Sequence, residues 1–121
     1  MKLSHIIEMP VLRAKVVVLI SDKQKYIKKF CKDNKYPEDA FNGNYIGRCN
    51  LFKVDCDKFM VNEIVIHSRS AAISVIAHEA VHAACYIMDS ACMNMNGDSA
   101  ELAAYIVQHI CEEVEGAIDD R

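Results

Sequence analysis

The chain is 121 residues long, 52% hydrophobic, and carries a formal net charge of −3. That length makes one domain, residues 1–121, and that much apolar material builds a core without disulfide staples. A membrane span is excluded by the brevity of the apolar run Val16–Ile20, and Met1-Lys2-Leu3-Ser4-His5 does not open a signal peptide.

In chain order, Val11–Ile20 is rich in β-branched residues and predicts a mostly buried strand. Asp22–Lys35 predicts a helix capped by Ser21 or Asp22, with Lys25, Lys28, Lys29 and Lys32 on one stripe and Tyr26, Ile27, Phe30 and Cys31 on the other. This is a docking helix with a solvated Lys face. It lacks the interleaved aromatics and phosphate-loop glycines of a nucleic-acid surface, so no nucleic-acid partner is expected. Tyr36–Asn44, with Pro37 and Asn42-Gly43, predicts a loop. Tyr45–Val54 is a second strand, and Val61–His67 a third, where Val61, Glu63, Val65 and His67 alternate with Asn62, Ile64 and Ile66. Two long helices follow, from about Ala71 to Met88 and from Asp98 to about Ala117. The order β-α-β-β-α-α predicts an α+β domain in which a small sheet carries an N-terminal helix and two packed C-terminal helices.

Charge is unevenly spread. Residues 1–60 hold 12 Lys/Arg against 7 Asp/Glu, whereas residues 61–121 hold 2 against 10. The six cysteines are scattered without a C-x-x-C pair. Cys85, Cys92 and Cys111 read as small hydrophobic residues in a reducing, cytoplasmic compartment, and Cys49 and Cys56 as the exposed ones.

Chemistry is announced by His78-Glu79-Ala80-Val81-His82, an H-E-x-x-H within the first of the long helices. Residues at i and i+4 lie roughly 40° apart around a helix axis and about 6 Å apart along it, so both imidazoles can turn toward one ion. Zinc takes neutral imidazole readily, and Glu79, about 100° round from His78, stands where a general base can reach a water held by the metal. The flanking pattern favours a buried helix. Ile76, Ala80, Ala83 and Ile87 make one apolar stripe, Ser74, His78, His82, Cys85 and Asp89 the opposite one, and no Lys or Arg occurs from Ser70 to Asp120. The polar strip is therefore expected to face a cleft or the core.

A third ligand must come from elsewhere, and Glu101, 19 residues after His82, is the leading candidate. The short link from Asp89 to Gly97 returns the chain antiparallel, which brings the first turn of the last helix toward the His helix. The competing reading is that Asp98-x-x-Glu101 is a capping box and Glu101 only caps a backbone N–H. Asp98 and His109 are the fallback ligands.

H-E-x-x-H followed by a Glu on the next helix resembles the gluzincin arrangement of zinc metallopeptidases. More closely, His78-Glu79-Ala80-Val81-His82-Ala83 followed by Glu101-x-x-Ala104-Tyr105 is similar to small phage-encoded proteins of this type, whose H-E-A-V-H-A helix precedes an E-A-x-A-Y helix. Here Glu101-Leu102 replaces the E-A pair. The likeness covers roughly residues 60–110. It implies a minimal zincin-like fold, zinc at His78, His82 and Glu101, and Glu79 as general base. It also implies an oxyanion-stabilising Tyr105 or His109, and Val61–His67 as the edge strand beside the substrate cleft.

On these grounds the chain is expected to hydrolyse peptide bonds with zinc, acting on an extended peptide or protein substrate in the cytoplasm (of a bacterial host, if phage-encoded). The alternative is a zinc-stabilised, non-catalytic binding module, alone, as a homodimer, or on a host protein. A domain this short has little room for a second lobe to wall the cleft.

Overall fold

The computed structural model describes residues 2–56, 59–94 and 96–120, and side chains of residues 54–60 lie outside the description. The elements are β1 (Lys2–Met9), β2 (Ala14–Ser21), α1 (Gln24–Asp33), β3 (Gly47–Cys56), β4 (Phe59–Ser68), α2 (Ile73–Ser90) and α3 (Ala100–Asp119), with a 3-10 turn at Pro10–Leu12. This is an α+β domain. The sheet runs β1-β2-β4-β3, with β2 and β4 parallel and both outer pairs antiparallel.

Two layers cover the sheet. Val16, Val18, Ile20, Ile64 and Ile66 point to one face and pack with Ile76, Ala80, Ala83 and Ile87 of α2 and Ile106, Ile110 and Val114 of α3. Val17, Leu19 and Val65 point to the other face and meet Ile27 and Cys31 of α1, with Phe41 and Tyr36 of the following loop. Alternation along a strand sends neighbouring side chains to opposite faces, so a strand apolar at every position is interior.

That rule corrects one expectation. Residues 64–67 of β4 are wholly buried on both faces, and β4 lies between β2 and β3. It is not the edge strand beside the cleft. The edges are β1 and β3. Moreover, β1 was not anticipated, and β2 begins at Ala14 rather than Val11. Pro10 opens a 3-10 turn that Arg13 closes in the left-handed region at φ 50°, so the hairpin forms without glycine.

The helix caps also differ from expectation. Lys23, not Ser21 or Asp22, precedes α1, although Ser21 Oγ accepts a bond from its backbone N–H. Ser99 precedes α3, and no side chain caps that helix, so Asp98 and Glu101 form no capping box. Asn96 Oδ1 instead accepts from the N–H groups of Asp98 and Ser99.

His67 is fully buried at the end of β4. Its Nε2 donates to the Ser21 carbonyl at 2.9 Å and its Nδ1 accepts from Tyr45 at 2.6 Å, an arrangement that suits the neutral ring. Burial is the main cause that lowers its pKa, opposed by the Ser21 bond and aided by Arg69. A depressed histidine pKa means the unfolded chain binds the proton first. The stability from neutral His67 is therefore complete above about pH 6.5 and is lost as pH falls below it. Thermal melts from pH 8 to pH 5 should show wild type losing stability below pH 6.5. His67→Gln, whose amide can keep the bond to the Ser21 carbonyl and does not titrate, should lose less on acidification; an equal loss would exclude His67 as the source.

Candidate functional site

Helix α2 lies on the sheet with α3 beside it, which leaves one strip of its circumference to solvent. Ser74, His78, His82, Cys85 and Asp89 occupy that strip and are exposed. The polar face thus opens outward; of the two expected surroundings, a cleft or the core, the core is excluded. The absence of Lys and Arg reflects two buried flanks rather than complete burial. The two imidazoles stand side by side, ring centroids 5.4 Å apart, and the His78 side chain is 72% exposed.

Glu79 turns the other way. It is only 6% exposed and packs against the start of β3, where the chain can pass because residue 47 is glycine. A Cβ at Gly47 would stand 2.9 Å from Val75 Cγ1, 3.1 Å from Glu79 Cγ and 3.2 Å from Glu79 Oε2. The His78 ring is its neighbour in the sequence, with Nε2 3.8 Å from Glu79 Oε2, beyond hydrogen-bond reach. Among the described residues no donor bonds to the carboxylate. The buried side-chain atoms without a partner among the described residues are His5 Nε2 and Arg69 Nε, not the Glu79 oxygens, so solvent still reaches the carboxylate of this largely buried side chain.

Two neighbours of Glu79 were missed in the sequence. Burial pushes the Cys49 thiol up to about 12, with the Glu79 charge adding to the effect, so Cys49 stays protonated. Burial also raises Tyr86, and the Glu79 charge adds to the effect. Tyr86 lies seven residues after Glu79, on the same side of the helix, which is a legible spacing. Cys49 had no such signal. Three cysteines run against expectation: Cys49 is buried, whereas Cys85 and Cys92 are exposed; Cys111 is half-buried, and Cys31 is buried on the apolar stripe of α1 as its spacing implied. The Cys56 side chain lies outside the described residues.

The open edge of β3 borders this helix. Ile46 gives its carbonyl to Arg69 N–H at 2.8 Å, so alternation aims the backbone groups of Gly47, Cys49 and Leu51 away from β4, toward the free edge. On the opposite flank of the His pair, Val81, Ala84, Ala103, Ala104, Val107 and Gln108 line an apolar trough of about 560 Å³ between α2 and α3.

Helix α3 carries the other predicted residues on its solvent side. Glu101 is exposed in the first turn, Tyr105 is 70% exposed, and His109 and Asp98 are exposed as well. Because no capping box forms, no backbone N–H of the helix start holds the Glu101 carboxylate. The structure sets His78 beside His82 on the exposed strip and, on its other side, 3.8 Å from Glu79. It gathers no group of three His, Cys, Asp or Glu suited to a metal among the described residues, so Glu101 does not join the pair there.

No family model, no curated protein and no solved structure matches the chain. No helix of the described residues is long and apolar enough to cross a membrane.

Proposed function

We propose that the protein is a zinc-dependent hydrolase that cleaves peptide bonds in an extended segment lying along β3. The observation that carries this reading is the Glu79 side chain, largely buried against β3 with its carboxylate still reached by solvent, beside two exposed imidazoles on one helix face. Two neutral imidazoles and a carboxylate are a donor set that suits zinc. In this reading His78 and His82 hold the ion and Glu101 is the third ligand, its first-turn side chain swinging from solvent. Bound there, zinc would acidify water and polarise a carbonyl. Glu79 accepts the proton of the attacking water and returns it to the leaving amine. Tyr105 or His109, from the α3 side, hydrogen-bonds the developing oxyanion.

The backbone groups of Gly47, Cys49 and Leu51 hold the substrate by strand addition, which orients it without demanding particular side chains. Free thiols at all five described cysteines suit a reducing cytoplasm. Metal content by elemental mass spectrometry tests the centre: about one zinc per chain in wild type, lost in His82→Ala. No zinc in wild type, even after incubation with the ion, would remove the reading.

One observation favours a second reading. Because no three-ligand group assembles among the described residues, the His face also suits a non-catalytic module that binds a partner protein. Wild type that retains zinc but cleaves no denatured protein substrate would select it.

A further inference from the structure

The second open edge of the sheet, β1, lies on the side away from β3. It is eight residues long and pairs with β2 in unbroken register from Lys2↔Ser21 to Met9↔Ala14, without a bulge. Its outer row of backbone N–H and C=O groups is a template for another strand. Natural edges are commonly blunted by proline, bulges or isolated charges, and β1 has neither of the first two within its length. Its faces differ. Ile7 and Met9 are buried toward α3, whereas Lys2, Ser4, Ile6 and Glu8 are exposed on the face where α1 leaves β1 bare, and Ile6 is 52% exposed. Lys2 Nζ lies over the Tyr26 ring, 4.3 Å from its centre, which keeps the charge on that face.

We propose that β1 pairs antiparallel with β1 of a second copy, about a twofold axis through His5, to make one continuous eight-stranded sheet. The charge pattern selects this partner and this register. With His5 opposite His5, the exposed face sets Lys2 against Glu8, Ser4 against Ile6, Ile6 against Ser4 and Glu8 against Lys2. Two opposite-charge pairs then bracket two isoleucines that meet diagonally. On the other face Leu3 meets Ile7, apolar against apolar. Sliding by two residues sets Lys2 against Ile6 or Glu8 against Ser4 and breaks both ion pairs. Sliding by one turns the buried row of one copy against the exposed row of the other. The interface is isologous and closes at two copies. It also leaves the β3 edge and the His78 face open, so it does not depend on what those do.

Sedimentation velocity over a concentration series tests the proposal on four chains: wild type, Lys2→Glu, Glu8→Lys and the double variant. Lys2 and Glu8 are exposed, and circular dichroism confirms that each variant folds. Wild type should sediment as a dimer that dissociates on dilution. Each single reversal puts like charges at both ends of the seam and should weaken dimerisation about ten-fold or more. The double variant restores opposite charges and should return to within about three-fold of wild type. A wild type that stays monomeric up to about 100 μM overturns the proposal. So does a dimer indifferent to the single reversals, or a double variant as weak as the singles.

Discussion

Glu79→Gln is expected to keep about one zinc per chain and to lower kcat by about 10²–10⁴-fold, the usual contribution of a positioned general base. The amide has the shape of the carboxylate, so it fits the space left by Gly47 and against Val75. His78 and His82 project from the exposed strip and do not need Glu79 to be charged. What the variant lacks is a group that accepts a proton. Stability should hold, because the amide fills the same space and, among the described residues, no hydrogen bond to the carboxylate is lost. The assay pairs kcat on a denatured protein substrate with zinc content and a melting curve. Wild-type turnover by Glu79→Gln would dismiss Glu79 as the base. A wild type that binds zinc but cleaves nothing would shift the His face to the binding-module reading, whatever the variant does.

The local part of this site was legible in the sequence. His78 and His82 share a face because a helix repeats every 3.6 residues, and nothing distant enters that argument. The long helices and the strands ending at Ser21 and Ser68 were legible for the same reason, as periodic runs of apolar residues. Strand β1 was legible too, in the alternation of Leu3, His5, Ile7 and Met9 with Lys2, Ser4, Ile6 and Glu8, but its polar half obscured it. Other features depend on contacts between distant segments. That β4 is interior follows from its parallel pairing with β2, and Val61–His67 reads alike for an edge or a centre when only one strand is inspected. The burial of Glu79 depends on Gly47, 32 residues earlier, where sequence shows only a glycine at the mouth of a strand. The exchange of buried and exposed cysteines has the same origin. Cys49 is buried because its strand position turns under α2, and Cys85 is exposed because its helix position lies on the same strip as the histidines.

Gly47→Val should cost about 10²-fold in activity while zinc binding survives, because Gly47 sets where the base stands. A Cβ alone would lie 2.9 Å from Val75 Cγ1 and 3.1 Å from Glu79 Cγ, both nearer than ordinary contact, and valine adds two methyl groups. Either β3 moves off the helix or the Glu79 side chain moves toward solvent. Overpacking of this kind costs about 1–3 kcal/mol of stability. Displacement of a catalytic group by about 1 Å costs on the order of 10² in rate, so activity should suffer more than stability. Gly116→Ala is the control: nothing stands within 4 Å of its Cβ position, and alanine in the last turn of α3 should raise stability by up to about 0.5 kcal/mol without touching turnover. Melting curves and kcat measured on both variants separate the two effects. If Gly47→Val loses stability yet turns over at the wild-type rate, β3 does not position Glu79, and the nearness of the open edge to the His helix serves packing alone. If turnover falls while the metal stays, the close approach of strand and helix is what aims the carboxylate. The same glycine would then both admit the base and present the first free backbone groups of the β3 edge to a substrate.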